Sequence, residues 1–441
     1  KWVHDEGPFQ EIVREVISGI PGFEPIAPPE VVARKGFEFA PEIDALRRLR
    51  NARTHNQKMK AARKIASELP NLIEQDTVPR LESVQAFVGS SRDMWIQAKK
   101  VISSSERRCL LMSSFTNEAH AEFVSEQFLE ACSDSINRTL IISVGEPDRT
   151  DSSVYMDKSK RFLSNLKELI GVQCSMTGGV AEAPTHAKVI VSDGGLIFIT
   201  TCNLLSSNPN RFVLESGFLI EDAGLANKVV ELVLEESWVP RGSKVEVDQL
   251  RVDLSMRDFP EMDTIILREK MAKTESSLKS GGKKAEFGLI ALDNQLQKIA
   301  ERPRYRLVKN LEHRDILIDS AEMFFERLVL ASDGLRERGM DKATINSIVK
   351  RCQSNKGKNT VQIWWGRDAH DSKPYNEEDE QRRKRARARL EIFRKSRGVF
   401  HFYPEKSNKP MQTHAKLIII DDMRVLLTSD NFLSFGDTEG T

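Results

Sequence analysis

The chain is predicted to be an α/β protein built from two alike halves, with a mostly helical segment in front of them. Three observations lead there. A nine-residue stretch occurs twice in one register, at Thr185–Asp193 and Thr413–Asp421. Apolar, β-branched runs alternate with helix-like stretches ahead of each copy, a pattern that suggests a sheet covered on both faces. The first 80 or so residues have no such alternation and are punctuated by proline.

Residues 1–80 are expected to be mostly helical, with Pro21, Pro25, Pro28 and Pro29 separating an early helix from a later one. The later stretch, Ala45 to Ala66, carries Arg47, Arg48, Arg50, Arg53, Lys58, Lys60, Arg63 and Lys64 with no acid among them. Such a face could hold a phosphate backbone, with Arg47, Arg50, Lys58 and Arg63 as candidate nucleic-acid contacts. A solvated helix face explains the same charge run, and both readings stay open.

Residues 81–240 form the first half. Arg108–Ser113 and Arg138–Val144 read as strands. Asn117–Cys132, with Ala121, Val124, Phe128 and Leu129 on one side, reads as the helix between them. A helix over Asp157–Leu169 and a short strand over Val172–Met176 lead into the first copy of the motif. There His186 and Lys188 are two apart, and side chains two apart on a strand share a face. Asp193-Gly194-Gly195 is a turn signal, and Leu196–Ile199 is the returning strand that brings Asn203 back beside His186 and Lys188. A further strand runs over Arg211–Ile220.

Residues 241–304 are a connector, punctuated by Pro240-Arg241-Gly242-Ser243 and Ser280-Gly281-Gly282 and poorly periodic. Residues 305–441 repeat the first half. Asp315–Asp319 is expected as the opening strand, Ala321–Leu330 as its helix and Val361–Gly366 as the next strand. Asn376–Arg397 is the long helix, Val399–Tyr403 the strand before the motif, and Asp341–Cys352 a helical insertion. Helix 376–397 starts acidic and turns basic, an order that suits the helix dipole; it reads as a surface helix, with a nucleic-acid contact as the second choice.

The second copy holds His414, Lys416 and Asp421 at the spacing of His186, Lys188 and Asp193. Asn431 follows His414 by seventeen residues, as Asn203 follows His186, and hydroxyls recur at Thr201 and Ser429. Three such matches at residue frequencies of roughly 5 % arise by chance about once in ten thousand tries, so two copies argue for chemistry rather than coincidence. An imidazole, an ammonium, an amide and a hydroxyl together suit a phosphate group: donors for its oxygens, and a nitrogen that attacks phosphorus or moves protons.

Lys plus Arg number 66 and Asp plus Glu 65, so net charge alone predicts no nucleic-acid partner and any basic surface is local. The five cysteines are scattered, with no Cys-x-x-Cys pair, which suits a reducing compartment and argues against a zinc site or a disulfide framework. No apolar run of membrane-spanning length and no signal peptide is present, so a cytoplasmic location is expected.

The repeated His-x-Lys-x4-Asp with Asn further on resembles the HKD motif of the phospholipase D superfamily, which includes phospholipases, phospholipid synthases, nucleases and tyrosyl-DNA phosphodiesterases. The resemblance implies two motif-bearing α/β halves about a pseudo-twofold axis, with one active site between them. The usual Gly-Ser before the Asn reads Thr200-Thr201 and Thr428-Ser429 here, a small departure. The retained Asp argues against the tyrosyl-DNA phosphodiesterase branch. Glu215, 29 residues past His186, matches the position of a family acid beside the histidine; a carboxylate there takes the Nδ1 proton of His186 and frees Nε2. The same offset from His414 falls at 443, past Thr441. Asp193 and Asp421, with Thr201 and Ser429, are implied as supporting residues.

The implied chemistry is a two-step displacement without cofactor or metal. His186 attacks a phosphodiester, His414 protonates the leaving oxygen, and water then resolves the phosphohistidine. Lys188, Lys416, Asn203 and Asn431 hold the phosphoryl oxygens. A nuclease acting on DNA or RNA is the first reading, and the resemblance admits a place in restriction or phage defence, with protein partners or as a homodimer. A phospholipase or phospholipid synthase is the second reading, and a nucleic-acid-binding module with little turnover the third.

Overall fold

The computed structural model describes residues 41–50, 52–75, 83–133, 138–145, 152–171, 174–208, 213–255, 264–300, 305, 307–308, 312–324, 326–333, 335, 339–354, 358–365, 384, 388, 390–393, 399–403, 413–421, 424–428 and 432–433. They are mixed α/β, with two separate sheets. They divide into two compact units. One takes the described residues within Glu24–Val84 and Asp258–Leu307, the other those within Gln85–Arg257 and Val308–Thr441.

The first unit is helical: α1 (Pro41–Arg50), α2 (His55–Gln75), α8 (Thr264–Ser280) and α9 (Gly282–Ala300). Leu46, Leu49, Ala62, Ile65, Leu69, Leu267, Met271, Leu278, Leu292 and Leu296 form its core. The single helix expected over Ala45–Ala66 is two helices. Thr54 begins the second: its Oγ1 accepts from the Gln57 backbone N–H, and Gln57 Oε1 accepts from the N–H of Thr54, a reciprocal cap that starts a new helix. The stretch expected as a poorly periodic connector supplies α8 and α9.

The second unit carries both sheets, apart from Ser83 and Val84 at the start of the first strand. The larger holds β1 (Ser83–Gly89), β2 (Arg108–Ser113), β3 (Thr139–Val144), β4 (Ser175–Val180), β5 (Val189–Ser192), β6 (Leu196–Thr200) and β7 (Glu215–Glu221), in the order β1-β7-β6-β5-β2-β3-β4. The smaller holds β8 (Arg327–Ser332), β9 (Thr360–Trp365), β10 (Val399–Tyr403), β11 (Leu417–Ile420) and β12 (Arg424–Leu427), in the order β10-β9-β8-β11-β12. Strands β2, β3 and β4 run parallel, as do β8, β9 and β10. Each motif strand, β5 or β11, is antiparallel to the first strand of its half and to the strand that follows it. The strand plan β4-β3-β2-β5-β6 thus recurs in the second sheet.

The central strands are apolar and buried at nearly every position, as strands covered on both faces must be. In the larger sheet α3 (Ser91–Ser104), α4 (Ala121–Ala131) and α5 (Ser152–Ile170) supply Trp95, Val101, Phe128, Phe162 and Leu166 to the same core as Leu111, Ile142 and Ile190. Helices α6 (Ala223–Glu235) and α7 (Lys244–Ser255) follow β7. In the smaller sheet α10 (Glu312–Met323) and α11 (Lys342–Ser354) pack Leu317, Ala321, Ile345 and Ile348 against Leu328, Leu330 and Ile418.

Three expectations for the second half are corrected. Asp315–Asp319 is not a strand but lies in α10, and Leu317, Ser320, Ala321 and Phe324 are buried at helical spacing. The opening strand is β8, inside the stretch expected as a helix; a short apolar run buried on both faces has no periodicity to separate it from a helix. Helix α11 stands between β8 and β9 as α4 stands between β2 and β3, so 341–352 is the helix of the repeat rather than an insertion. Most of helix 376–397 lies outside the described residues.

Candidate active site

Each motif begins at the edge of its motif strand and is held there by the same contacts. Thr185 Oγ1 accepts from Ala187 N–H at 3.1 Å, and Thr413 Oγ1 from Ala415 N–H at 3.2 Å. Lys188 Nζ donates to the His186 carbonyl at 2.8 Å, and Lys416 Nζ to the His414 carbonyl at 2.9 Å. The carbonyls of Lys188 and Lys416 accept from Thr200 and Thr428 N–H, both at 3.1 Å. The motif aspartates face the other way. Asp193 accepts from the backbone N–H groups of Glu106, Arg107 and Arg108, and Asp421 from those of Glu326 and Arg327. Each ties the end of its motif strand to the start of the neighbouring strand, and Asp421 takes φ 50°, which a short polar side chain tolerates.

The second motif meets the first half at the head of β7. Leu214 forms a parallel bridge with Thr413, and its carbonyl accepts from His414 N–H at 2.8 Å and Ala415 N–H at 3.1 Å. The next residue, Glu215, is 4 % exposed, and its Oε2 lies 3.1 Å from His414 Nδ1. Thr201 Oγ1 donates to the same carboxylate oxygen at 2.6 Å. The expected pairing of Glu215 with His186 is therefore corrected: the acid of the first half serves the histidine of the second. Leu214 pairs with Thr413 and not with the first motif, and this bridge decides which ring the carboxylate reaches.

Around His186 the partners differ. Its Nδ1 lies 3.2 Å from Lys188 Nζ, which also donates to Ser114 Oγ at 2.8 Å, and Phe115 meets the ring edge-on at 5.5 Å. Gly145, at the end of β3, leaves room for the chain entering this motif: a Cβ there would stand 2.1 Å from the Thr185 carbonyl oxygen.

The lysines are buried as few lysines are, Lys188 at 2 % and Lys416 at 0 % exposure. Burial, joined by the charge of Lys416, holds the Lys188 amine well below the ordinary range, with Glu215, Cys202 and Asp333 pulling the other way. Burial pushes the Glu215 carboxyl up, but His414, Lys416 and Thr201 outweigh it and leave the group below its usual value and ionised. Lys188 thus feels charges from both halves, Glu215 of the first and Lys416 and Asp333 of the second.

Asp333 is the residue that sequence reasoning missed. It follows β8 directly, is 7 % exposed, and its Oδ2 lies 3.9 Å from His414 Nε2. Its position after the first strand of its half is that of Ser114 in the other, a signal hidden by the misplaced opening strand. Asn203 lies past β6, and its Oδ1 is buried with no hydrogen-bond partner among the described residues. Ser429 and Asn431 lie outside the described residues. Of the candidate nucleic-acid contacts, Arg50 reaches Asp293 at 3.5 Å and Arg63 donates to the Leu278 carbonyl at 3.0 Å, both within the helical unit. Lys58 is exposed on α2, and Arg47 is in α1. Among the described residues no cluster of His, Cys, Asp and Glu could hold a metal ion, and no helix is long and apolar enough to cross a membrane.

No family model matches the chain, and no curated protein matches it by sequence. Among solved structures it is similar to a phosphatidylserine synthase of Haemophilus influenzae, at 14 % identity and a TM-score of 0.47 over 84 % of this chain and 83 % of that one. It is also similar to Nuc, a phospholipase D family member from Salmonella typhimurium, at 16 % identity and a TM-score of 0.25 over 36 % of this chain and 97 % of that one. A third is a polyphosphate kinase of Porphyromonas gingivalis, at 10 % identity and 0.34 over 79 % and 45 %.

Proposed function

We propose that the chain is a phospholipase D-like phosphodiesterase that works through a phosphohistidine, and that its substrate is a nucleic acid. The observation that carries this reading is the crossing of the two halves at one ring: Glu215 of the first on His414 Nδ1 of the second, with Lys188 and Lys416 in electrostatic reach.

His186 is the nucleophile and His414 the proton carrier. An amine at Lys188 that has lost its proton gives two N–H bonds, to Ser114 and the His186 carbonyl, and accepts the third from His186 Nδ1–H. That tautomer leaves the Nε2 lone pair of His186 free to attack phosphorus. The burial that holds Lys188 below its ordinary range favours this state. Glu215 holds His414 through Nδ1, so Nε2 is the nitrogen that protonates the leaving oxygen and later takes a proton from water. Lys416 and the amides of Asn203 and Asn431 hold the phosphoryl oxygens as charge builds. The exposed basic residues of α2, Lys58 and Lys60 among them, support a polyanionic substrate over a single headgroup.

Labelled DNA and RNA, single- and double-stranded, together with phosphatidylcholine vesicles, test the reading. Cleavage of nucleic acid that survives EDTA and is lost in both His186→Ala and His414→Ala is expected. Release of choline with no cleavage of nucleic acid overturns the choice of substrate, and nucleic-acid binding without cleavage of any ester overturns the enzyme.

A further inference from the structure

The residue that follows the first strand differs between the two halves, and the difference falls beside the reacting nitrogen. After β2 comes Ser114, whose hydroxyl accepts from Lys188 at 2.8 Å. After β8 comes Asp333, buried, with Oδ2 3.9 Å from His414 Nε2. The other nitrogen of that ring is taken by Glu215, so proton transfer from a bound group must occur at Nε2, next to Asp333. Among the described residues, the charged groups set against His414 are Glu215 from β7, Asp333 from the end of β8 and Lys416 from the edge of β11, whose Nζ sits on the His414 carbonyl. The charges of Lys416, Glu215 and Asp333 are also felt at Lys188.

A gap of 3.9 Å is too long for a hydrogen bond between the two atoms, but one oxygen can lie about 2.8 Å from both. An oxygen there has to offer two O–H donors, one to an imidazole lone pair and one to a carboxylate. Water has two. An alcohol has one, and after giving it to Nε2 it turns a lone pair toward the carboxylate. We propose that Asp333 accepts the second O–H of the attacking water, orienting it on the phosphohistidine and directing the second displacement to water rather than to an alcohol. In that step the water oxygen forms a bond to phosphorus while the bond from phosphorus to His186 Nε2 breaks, its electron pair returning to the ring. One water proton passes to His414 Nε2, and the other stays on the product phosphate, held toward Asp333. Asp333 is a positioning residue of the half of the cycle that resolves the phosphohistidine, and a determinant of which acceptor is used.

This inference rests on the phosphodiesterase reading, and its test separates the two. The full chain is given bis(p-nitrophenyl) phosphate in water with added ethanol. Chromatography resolves p-nitrophenyl phosphate, the product of hydrolysis, from ethyl p-nitrophenyl phosphate, the product of transfer. Asp333→Ser, which installs the residue found at the matching place, and the isosteric Asp333→Asn are both measured, because a product ratio can be read at low activity. In both variants the share of ethyl ester is expected to rise about fivefold over wild type, the worth of one hydrogen bond. An unchanged ratio overturns the proposal whatever happens to total turnover. So does loss of the initial p-nitrophenolate release in both variants, which places Asp333 in the first displacement or in anchoring the lysines. A wild-type chain that cleaves no phosphodiester overturns the phosphodiesterase reading and this inference with it.

Discussion

An amine on a side chain left only 2 % exposed, under the charge of a second buried lysine, loses solvation that Glu215 and Asp333 only partly return. The sign of the effect on stability follows from the lowered proton affinity of Lys188. Above its ordinary value of 10.5 the amine is neutral folded or unfolded and nothing is lost. As pH falls below that value the unfolded chain takes a proton that the folded chain refuses, and stability drops until the folded amine is protonated too. Lys188→Met is therefore expected to be inactive and yet more stable at neutral pH, by about 1 kcal/mol, with the gain vanishing in urea melts above pH 10.5. Glu215 behaves oppositely. Its lowered carboxyl contributes stability above its ordinary value of 4.5, and the contribution disappears as acid protonates the group. Glu215→Gln should lose its stability deficit in acid, and at neutral pH should lower kcat about 100-fold while leaving KM close to wild type, as removal of a proton-transfer partner does.

At the scale of the element, the motif hairpins depend on carboxylates that never touch the chemistry. Asp193 caps three backbone N–H groups and Asp421 two, so replacing either with Ala leaves buried donors without acceptors. A cost of about 2 kcal/mol is expected in chemical denaturation for each. Gly145→Ala acts on the entry to the first motif. Its Cβ meets a backbone carbonyl rather than a flexible side-chain tip, so a loss of about 2 kcal/mol and a fall in turnover are expected together. The hairpins were legible in the sequence because both spell out His, Lys and Asp at fixed spacing around an apolar run. The opening of the second half was not. Asp315-Ile316-Leu317-Ile318-Asp319 is a short apolar run closed by an acid at each end and imitates a strand, while the real strand, Arg327–Ser332, is too uniformly apolar to show a period. Packing, not local pattern, decides between them, since only the helix puts Leu317, Ala321 and Phe324 into the core of that half.

Over the whole molecule, the repeat in the sequence implied that the two histidines act together but not which acid attends which. Spacing within a half placed Glu215 near His186. The bridge between Leu214 and Thr413 puts it on His414, and no count along one half contains that information. The basic run near the N-terminus was legible as charge but not as contact. Arg63 reaches a carbonyl of α8, and Arg50 an acid of α9, because distant stretches of chain pack into one helical unit. Arg63→Ala should lower the melting temperature of that unit by a few degrees, the effect of about 1 kcal/mol, without changing the salt dependence of DNA binding. Lys58→Ala, on an exposed position, should instead flatten that dependence by close to one counterion and leave stability unchanged. The bridge at Leu214 has a consequence for how lesions combine. A chain carrying Glu215→Gln and another carrying His414→Ala are each broken at the same ring, so mixing them restores nothing unless halves are exchanged between molecules. Two polypeptides severed between the sheets, one intact in each portion, should regain turnover on mixing, because Glu215 comes from one portion and His414 from the other.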